Sequence, residues 1–515
     1  MKRTVSKTVL LTFVLTLTFL ITFAAVNIPP AAFAWESSTP EAQGIDSRKL
    51  AEMLDFIPNN NYGVHSVLVI RNGYLVAESS YYPYEIDQLH LLNSVTKNIT
   101  SALVGLALEH GYLESLEQKI INFFPEFETE NMDERKQEIT IADLLTMKSG
   151  LQWSENGPPD MQSHQGMMSS DNTLSYILNS PMEAEPGERF NYSSGDSHLL
   201  SAIITRATGV STENFAREYL FEPLEISEYY WMRDPQGYNH GGTRLYLKPK
   251  DLARFGHVYL RKGRWNGKQI IPAEWIKESL YPHVNNYSPG YGYHWWLNDF
   301  GGLFTEQRQG FSGNGFGGQY MFMVPELDLM VVFLSGLKVG ETLDLVFERK
   351  ILNAVSESPI PENEEALALL EETRRKHTEE LAAGETADLP GWAQKVSGRR
   401  YVMDNADSFT FDFSREKEAV LLWQPAESET RELLINLEQH YSKNHLTNYF
   451  YGEMDSTIAL QGRWEDQQTF IIEYRPLEHS TSFEYIFTFS GDEIKHERKV
   501  MSSGRISHES SGKAE

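Results

Sequence analysis

Leu92-Asn93-Ser94-Val95-Thr96-Lys97 is the stretch that decides the fold, because it leads straight into an apolar pattern of helical spacing that runs from Ile99 to Gly111. Residues i and i+3 share one face of a helix, so Lys97 can reach the Oγ atom of Ser94. A serine hydroxyl is a weak nucleophile that needs a base or a nearby cation. The N-terminus of a helix also favours developing negative charge. The stretch therefore predicts a nucleophile, Ser94, that is activated by Lys97.

The spacing Ser-x-x-Lys is not specific by itself, since it recurs elsewhere in this chain. None of the other copies opens an apolar helix. The alternative for Ser94 and Lys97 is a serine that caps a helix beside a solvated lysine, and spacing alone leaves that alternative open. The other copies are Ser335/Lys338, Ser414/Lys417 and Ser510/Lys513.

Two later segments could complete a site around Ser94. Phe190-Asn191-Tyr192-Ser193-Ser194-Gly195 precedes a second apolar helix, and Tyr192, held near a lysine, could move a proton to a leaving group. The glycine-rich segment from Gly310 to Gln319 leads into a strand, and its glycines allow a peptide N–H to approach a substrate oxyanion closely. Each segment taken alone also fits an ordinary loop.

Taken together, these three segments resemble the serine β-lactamase and penicillin-binding-protein superfamily, in which Ser-x-x-Lys opens a helix, a Tyr-x-Asn motif follows, and a Lys/His-Ser/Thr-Gly triplet lies on an edge strand. The resemblance is to the class-C-like branch, and within it to 6-aminohexanoate-oligomer hydrolases and related esterases. It covers about residues 38 to 355. Four flanking segments support it: Asn93 to Lys97, Asp143 to Gly150, Tyr291 to Trp296, and Pro325 to Leu329.

The resemblance implies a role for each matching residue. Ser94 would be acylated, Lys97 would be its base or electrostatic activator, and Tyr192 would shuttle the proton to the leaving group. The backbone N–H groups of Ser94 and Asn314 would form the oxyanion hole. The remaining residues of the second and third motifs, which would bind substrate, are Ser194, Ser312 and Gly313.

Two departures from the family motifs bear on the substrate. Ser194 stands in place of the usual Asn of the second motif, and Phe311 stands in place of the Lys or His that opens the third. Phe311 removes the cation that would hold the carboxylate of a β-lactam or of a D-Ala-D-Ala peptide, unless Arg308 replaces it. We therefore expect an esterase or amidase. The alternatives are a penicillin-binding-protein-like D-peptidase or β-lactamase, and a non-catalytic wall-binding or scaffold protein of the same fold.

The N-terminal residues 1–34 look like a secretory signal peptide. Three basic residues precede the apolar run from Val9 to Val26, and Ala32-Phe33-Ala34 gives a small-x-small cleavage pattern, so we predict a cut after Ala34 and a secreted, extracellular protein. An uncleaved membrane anchor outside the cytoplasm is the alternative, and a membrane would be a partner only in that case.

Composition narrows the chemistry. The chain contains no cysteine, which excludes disulfide bonds, a thiol nucleophile and Cys-ligated zinc. Its formal charge of −27 disfavours nucleic acid as a partner. We expect a small-molecule or peptide-like substrate and no metal or organic cofactor. Oligomeric state is not predicted.

Two strands are predicted at Val64 to Ile70 and Tyr74 to Glu78, joined as a hairpin by Asn72-Gly73, which supplies the positive φ of such turns, and a later strand is predicted from Tyr293 to Leu297. The order of predicted elements is strands, then a helical block, then strands, which indicates one antiparallel sheet interrupted by a helical insertion. The predicted fold class is α/β (α+β), serine β-lactamase-like, with an all-helical lobe and a C-terminal all-β domain. The predicted boundaries are 1–34 for the signal, 35–356 for the hydrolase domain with its lobe at about 93–250, 357–391 for a charged helical linker, 392–500 for a β-sandwich or small barrel, and 501–515 for a disordered tail.

Competing hydrolase classes lack their motifs in this chain. An α/β-hydrolase needs Gly-x-Ser-x-Gly, and the nearest match, Gly310 to Asn314, fails at its last position. A metallohydrolase needs clustered histidines and carboxylates, and the fifteen histidines include no His-Glu-x-x-His and no i,i+4 pair. His90 and His198 are expected to be structural. Three tryptophans could line a cleft or fill the core: Trp153, Trp295 and Trp296.

Overall fold

The computed structural model describes residues 35–515 apart from 127–132, 158–160, 286–289, 303–304, 380–388, 427, 439 and 451–453. The predicted signal peptide, residues 1–34, therefore lies outside the described residues. Within the described part of the chain, none of the helices has both the length and the apolar character needed to span a bilayer.

The first part of the described chain contains most of the helices and a seven-stranded sheet. This described part of the chain has twelve strands, of which seven form the large sheet, three form a small sheet (β3, β4 and β5) and two form a hairpin (β6 and β7). They are β1 (Val64–Arg71), β2 (Tyr74–Ser80), β3 (His90–Leu91), β4 (Tyr230–Trp231), β5 (Leu245–Leu247), β6 (Arg264–Trp265), β7 (Lys268–Gln269), β8 (Gly290–Tyr291), β9 (Trp296–Phe300), β10 (Arg308–Gly315), β11 (Gln319–Val324) and β12 (Leu329–Ser335). The helices are α1 (Ser47–Asn59), α2 (Thr96–Glu109), α3 (Ile141–Leu145), α4 (His164–Met168), α5 (Thr173–Leu178), α6 (Ser194–Thr208), α7 (Thr212–Ala216), α8 (Pro249–Leu260), α9 (Ala273–Ser279), α10 (Asp344–Val346), α11 (Glu364–Thr378) and α12 (Gly391–Val396).

The seven-stranded sheet has the order β2-β1-β12-β11-β10-β9-β8, and neighbouring strands are antiparallel. The predicted hairpin of β1 and β2 is confirmed, because Asn72 and Gly73 adopt φ values of 53° and 85° at the turn. Strand β1 then pairs with β12, so the sheet joins segments that flank the whole helical insertion. This is the antiparallel sheet interrupted by a helical insertion that the order of elements predicted.

Helix α2, which follows the nucleophile motif, is buried along almost its whole length, from Thr96 to Ala107. Its apolar side chains contribute to the core, while its polar side chains bond to neighbouring backbone. The hydroxyl of Thr100 donates to the carbonyl of Gly241 at 2.7 Å, and that of Ser101 donates to the carbonyl of Tyr293 at 2.8 Å. The helix is therefore held on several sides by the segments that surround it.

The C-terminal part is a β-barrel whose strands are β13 (Arg400–Met403), β14 (Ser408–Asp412), β15 (Glu418–Gln424), β16 (Arg431–Asn436), β17 (Ser442–Phe450), β18 (Met454–Trp464), β19 (Thr469–Pro476), β20 (Phe483–Ser490), β21 (Glu493–Val500) and β22 (Ile506–Ala514). They follow the order β16-β15-β14-β13-β22-β21-β20-β19-β18-β17, and β16 also pairs with β18, which closes the barrel. Alternating aromatic residues such as Phe409 and Phe411 point into its core. The sequence predicted either a β-sandwich or a small barrel for this part of the chain, and the structure contains a barrel.

Three sequence-based boundaries differ from the structure. The predicted disordered tail forms β22, which pairs with β21 and β13 although its own sequence is polar. The predicted charged linker contains α11, which packs on α1 and buries Leu370 in the core of the first sheet. The strand predicted from Tyr293 begins only at Trp296, because His294 has a φ of 63° and bends the chain.

Candidate active site

Ser94 and Lys97 lie next to each other at the start of α2, as their spacing predicted. Residues Asn93–Val95 form a 3-10 turn, and α2 continues it from Thr96. The ammonium of Lys97 donates to Ser94 Oγ at 2.9 Å. Lys97 is only 1% exposed, whereas Ser94 is partly exposed. An accessible hydroxyl therefore contacts a buried cation, and the alternative of a solvated lysine is wrong.

Two further acceptors fix the position of the Lys97 side chain. Its Nζ atom donates to Ser194 Oγ at 2.9 Å and to the carbonyl of Gly242 at 3.1 Å. The Tyr192 ring lies beside the same cation, with its centroid 4.7 Å from Nζ, and stacks on Trp296. A side chain at Gly242 would meet Ser194 at 3.1 Å, so glycine permits this loop to approach α6. The second motif and Lys97 therefore form one cluster.

Glu155 completes this cluster, and sequence reasoning missed it. Its carboxylate accepts the Ser194 hydroxyl in a short hydrogen bond, the Ser194 N–H at 3.0 Å and the Trp153 Nε1–H at 2.8 Å. Burial raises the pKa of Glu155, but the charges of Lys97 and His164 and the hydrogen bonds that it accepts lower the pKa by more. The pKa of Glu155 is therefore below its ordinary value. The Lys97 cation is thus balanced by a buried carboxylate, with Ser194 between them.

Strand β10 brings the predicted oxyanion segment against the nucleophile turn. Strand β9 begins at Trp296, opposite Ser312, so the residues of β10 after Ser312 extend beyond β9 towards α2. A Cβ atom at Gly313 would lie 2.6 Å from the Asn98 side chain, and one at Gly315 would lie 2.6 Å from the carbonyl of Leu92. Glycine is needed at both positions because the two segments are in contact. Asn314 lies between these glycines, beside the Ser94 turn.

The side chains of the other predicted substrate-binding serines, Ser194 and Ser312, are buried and do not face solvent beside Ser94. Ser194 is 1% exposed and is committed to Lys97 and Glu155. Ser312 is fully buried, and its hydroxyl accepts from Asn298 Nδ2 at 2.7 Å. Phe311 packs against Trp295. The family motifs implied that the side chains of Ser194 and Ser312 contact the substrate. In this structure both side chains are buried and hydrogen-bonded to neighbouring side chains instead.

Arg308 does not replace the missing cation of the third motif. It lies four residues before Ser312, which is about 13 Å along a strand. Its guanidinium pairs with Glu326 at 2.8 Å and with Glu306 at 3.1 Å. These ion pairs hold Arg308 at the far end of β10.

Two buried titratable groups lie behind the cluster. The ring of His294 has Nδ1 3.0 Å from the carbonyl of Lys97, and burial lowers its pKa to about 4, so the ring is neutral at pH 7. Asp196 lies in the first turn of α6, where burial raises its pKa to about 7 despite a 2.9 Å hydrogen bond from Ser149. Both groups are therefore uncharged between the two pKa values.

The remaining aromatic and histidine candidates mostly belong to the core. Trp295 is fully buried, Trp153 is 7% exposed, and only Trp296 packs on the predicted shuttle Tyr192. His198 pairs with buried Asp234 at 3.0 Å. His90 contacts His65 at 2.8 Å. In the described part of the chain, histidines and carboxylates form no cluster of three that could hold a metal ion.

This geometry has the parts that acyl transfer requires. A hydroxyl that solvent can reach lies beside a buried cation, and a phenol ring lies against that cation. The glycines of β10 pack closely against Leu92 and Asn98, so the backbone of the predicted oxyanion segment lies beside the nucleophile turn. A carboxylate behind Ser194 stabilises the charge of the lysine.

Comparison with known proteins gives a consistent result. The β-lactamase family profile matches residues 60–354. The 6-aminohexanoate-dimer hydrolase of Paenarthrobacter ureafaciens is 22% identical over 311 residues, which are 54% of this chain and 76% of that protein. Protein flp of Staphylococcus aureus (strain MW2) is 26% identical over 205 residues, 36% of this chain and 40% of that protein.

A solved structure shares the fold. EstCE1, described as a hydrolase with promiscuous acyltransferase activity, aligns with a TM-score of 0.50 and 18% identity, over 60% of this chain and 99% of its own. The family profile spans more than half of the chain and contains Ser94, Lys97, Tyr192 and Asn314. The chain belongs to the β-lactamase family.

Proposed function

We propose that this protein is a serine hydrolase that cleaves an ester or amide through an acyl-enzyme on Ser94. The observation that carries the proposal is the 2.9 Å contact between Ser94 Oγ and the Nζ atom of a lysine that is itself buried and held by two further acceptors. A capping serine beside a structural lysine does not need this convergence, whereas a nucleophile that must lose its proton does.

The proposed reaction has two steps. Ser94 Oγ attacks the substrate carbonyl while its proton moves to the Tyr192 oxygen and the Tyr192 hydroxyl proton moves on to the leaving heteroatom, so that Lys97 remains an ammonium throughout. The N–H groups of Ser94 and Asn314 stabilise the oxyanion, and the carbonyl–heteroatom bond then breaks to release the protonated alcohol or amine. Water hydrolyses the acyl-enzyme by the reverse proton path and releases the acid.

The proposed substrate has a neutral acyl group. Phe311 leaves the third motif without a cation, and Arg308 is paired with acidic residues at the far end of the strand. Glu155 adds a negative charge behind the site. An anionic acyl group would therefore find no matching cation beyond Lys97 among the described residues of the three motifs. The relative named 6-aminohexanoate-dimer hydrolase is consistent with action on a small linear substrate.

The test is intact-mass spectrometry after exposure to p-nitrophenyl acetate, a fluorophosphonate and a penicillin, with Ser94→Ala in parallel. We expect an acetyl or fluorophosphonate adduct on the parent protein, turnover of the ester, and neither in the variant. A lasting penicilloyl adduct would instead favour a penicillin-binding protein. Folded protein that reacts with none of the three would remove the enzyme proposal in favour of a wall-binding or scaffold role.

We also propose that the protein is exported and loses residues 1–34. The basic residues, the apolar run and the Ala32-Phe33-Ala34 pattern support this. The mass of the protein recovered from the culture medium tests it. A species that begins at Trp35 is expected, whereas full-length protein retained with the membrane would favour the anchor.

A further inference from the structure

The C-terminal barrel reaches the nucleophile turn through the connection between β19 and β20, residues 477–482, which we call the barrel loop. The backbone N–H of Leu91 donates to the carbonyl of Glu478 at 2.8 Å. The side chain of Gln88 donates to Glu478 Oε1, also at 2.8 Å. Ser480 is 4% exposed, although it lies in a loop. The barrel loop is therefore anchored beside the residues that lead into Ser94.

Asn93, the residue before the nucleophile, connects the barrel loop to the oxyanion segment. Its Nδ2 atom donates to the carbonyl of Phe316 at 2.7 Å and to Ser480 Oγ at 3.0 Å. An amide nitrogen has two hydrogens, so these two bonds use its full donor capacity. The backbone of Asn93 has a φ of 47°, which is unusual for a residue other than glycine. Its side-chain bonds help to hold that conformation.

Glycines on the hydrolase side make room for the barrel loop. A Cβ atom at Gly336 would lie 2.7 Å from the carbonyl of Ser480, and one at Gly317 would lie 3.2 Å from the Ser480 side chain. Gly317 follows Phe316 directly in the turn between β10 and β11. The contact with Ser480 is thus close on two sides, and it does not depend on a single hydrogen bond.

These contacts place Ser480 where it can affect the oxyanion hole. Asn93 precedes Ser94, and Phe316 lies two residues after Asn314, so the Asn93 amide links the segments that carry the two oxyanion N–H groups. Ser480 orients that amide from outside the hydrolase domain. We propose that Ser480 is a positioning residue for acyl transfer, and that the barrel loop sets the spacing between the N–H groups of Ser94 and Asn314.

This inference rests on the proposed function, and its first variant is Ser480→Ala. Removing one hydrogen bond to a positioning amide is expected to lower kcat for a p-nitrophenyl ester roughly three- to ten-fold, with KM unchanged. The affinity for a boronic acid that forms a tetrahedral adduct on Ser94 should fall by a similar factor. Active-site titration with a fluorophosphonate normalises each rate to folded, reactive enzyme.

A matched control and a double-mutant cycle separate positioning from stability. Ser510→Ala removes another buried barrel hydroxyl, one that lies beside His496 and away from the barrel loop, and should leave kcat unchanged. Asn93→Gly keeps the positive φ accessible and removes the amide. If Ser480 acts through Asn93, Ser480→Ala should have no further effect in the Asn93→Gly background.

The outcomes are distinguishable. An active parent enzyme whose kcat is unaffected by Ser480→Ala, or lowered equally by Ser510→Ala, or lowered by the same factor in both backgrounds, would overturn the positioning role and leave the hydrolase proposal intact. A parent protein with no adduct and no turnover would instead remove the proposed function itself.

Discussion

Replacing Asp196 by asparagine tests how strongly the start of α6 excludes water. Asp196 is 1% exposed; its Oδ1 atom accepts from the Ser149 hydroxyl, and its Oδ2 atom has no hydrogen-bond partner among the described residues. Burial is the main cause that raises the pKa of Asp196 from 3.8 to about 7. The folded protein therefore keeps this carboxyl protonated at pH values where the unfolded chain has already ionised it.

The sign and size of the effect follow from linkage. Between pH 3.8 and about 7 the folded state holds one more proton than the unfolded state, so the free energy of unfolding falls as the pH rises through this window. At about 1.4 kcal/mol per pH unit, the loss is about 4 kcal/mol. An asparagine side chain at this position cannot ionise. The Asp196→Asn variant should therefore gain stability relative to the parent as the pH rises.

The assay is urea unfolding of the parent protein and the variant at pH 4 and pH 8. The difference in free energy of unfolding should shift in favour of Asp196→Asn by several kcal/mol between the two pH values. Ser149→Ala is the matched control, because it removes the hydrogen bond but keeps the titrating carboxyl. It should retain the dependence on pH. A stability difference between Asp196→Asn and the parent that is the same at both pH values would refute the reasoning.

Four further results are expected. Lys97→Met removes the buried cation beside Ser94 and should reduce ester turnover at least about a thousandfold in initial-rate assays; near-normal turnover would exclude Lys97 as activator. Glu155→Gln removes the charged acceptor behind the lysine and should lower kcat about ten- to a hundredfold, whereas Glu183→Gln on the surface should not; equal effects would contradict the network. Burial lowers the pKa of His90 to about 4, so stability should fall as the pH drops from 6.5 to 4, and His90→Asn should flatten that slope in urea titrations; an unchanged slope would assign the acid sensitivity elsewhere. Gly336→Ala places a methyl group against the barrel loop and should lower kcat more than it changes KM; parent-like kinetics would show that the loop tolerates displacement.

Local sequence was sufficient where local geometry decides the structure. The spacing of Ser94 and Lys97 on one helix predicted their contact, and Asn72-Gly73 predicted the first hairpin. The nucleophile motif, the sheet interrupted by helices and the family resemblance all depend on such short segments. These features could be predicted because helical periodicity and turn chemistry are set by residues only a few positions apart.

Features that depend on distant partners were missed or misplaced. Glu155 follows Trp153 by two residues in a loop with no distinguishing pattern, and it matters only because the fold brings Ser194 to it. The polar β22 forms a strand because β21 and β13 supply its partners. Ser480 lies 386 residues after Ser94 in the sequence, and no periodicity could connect the two.

The pairing of β1 with β12 has a consequence for limited proteolysis. The backbone between these strands includes the whole helical lobe, with exposed loop residues such as Met161 at 50% exposure. A protease that cuts once in such a loop would leave two fragments that still share a central sheet, because β1 belongs to one fragment and β12 to the other. The nicked protein should therefore elute as one species under native conditions and separate into two fragments only in denaturant. Two bands on a denaturing gel would then not mean that the fold had been lost.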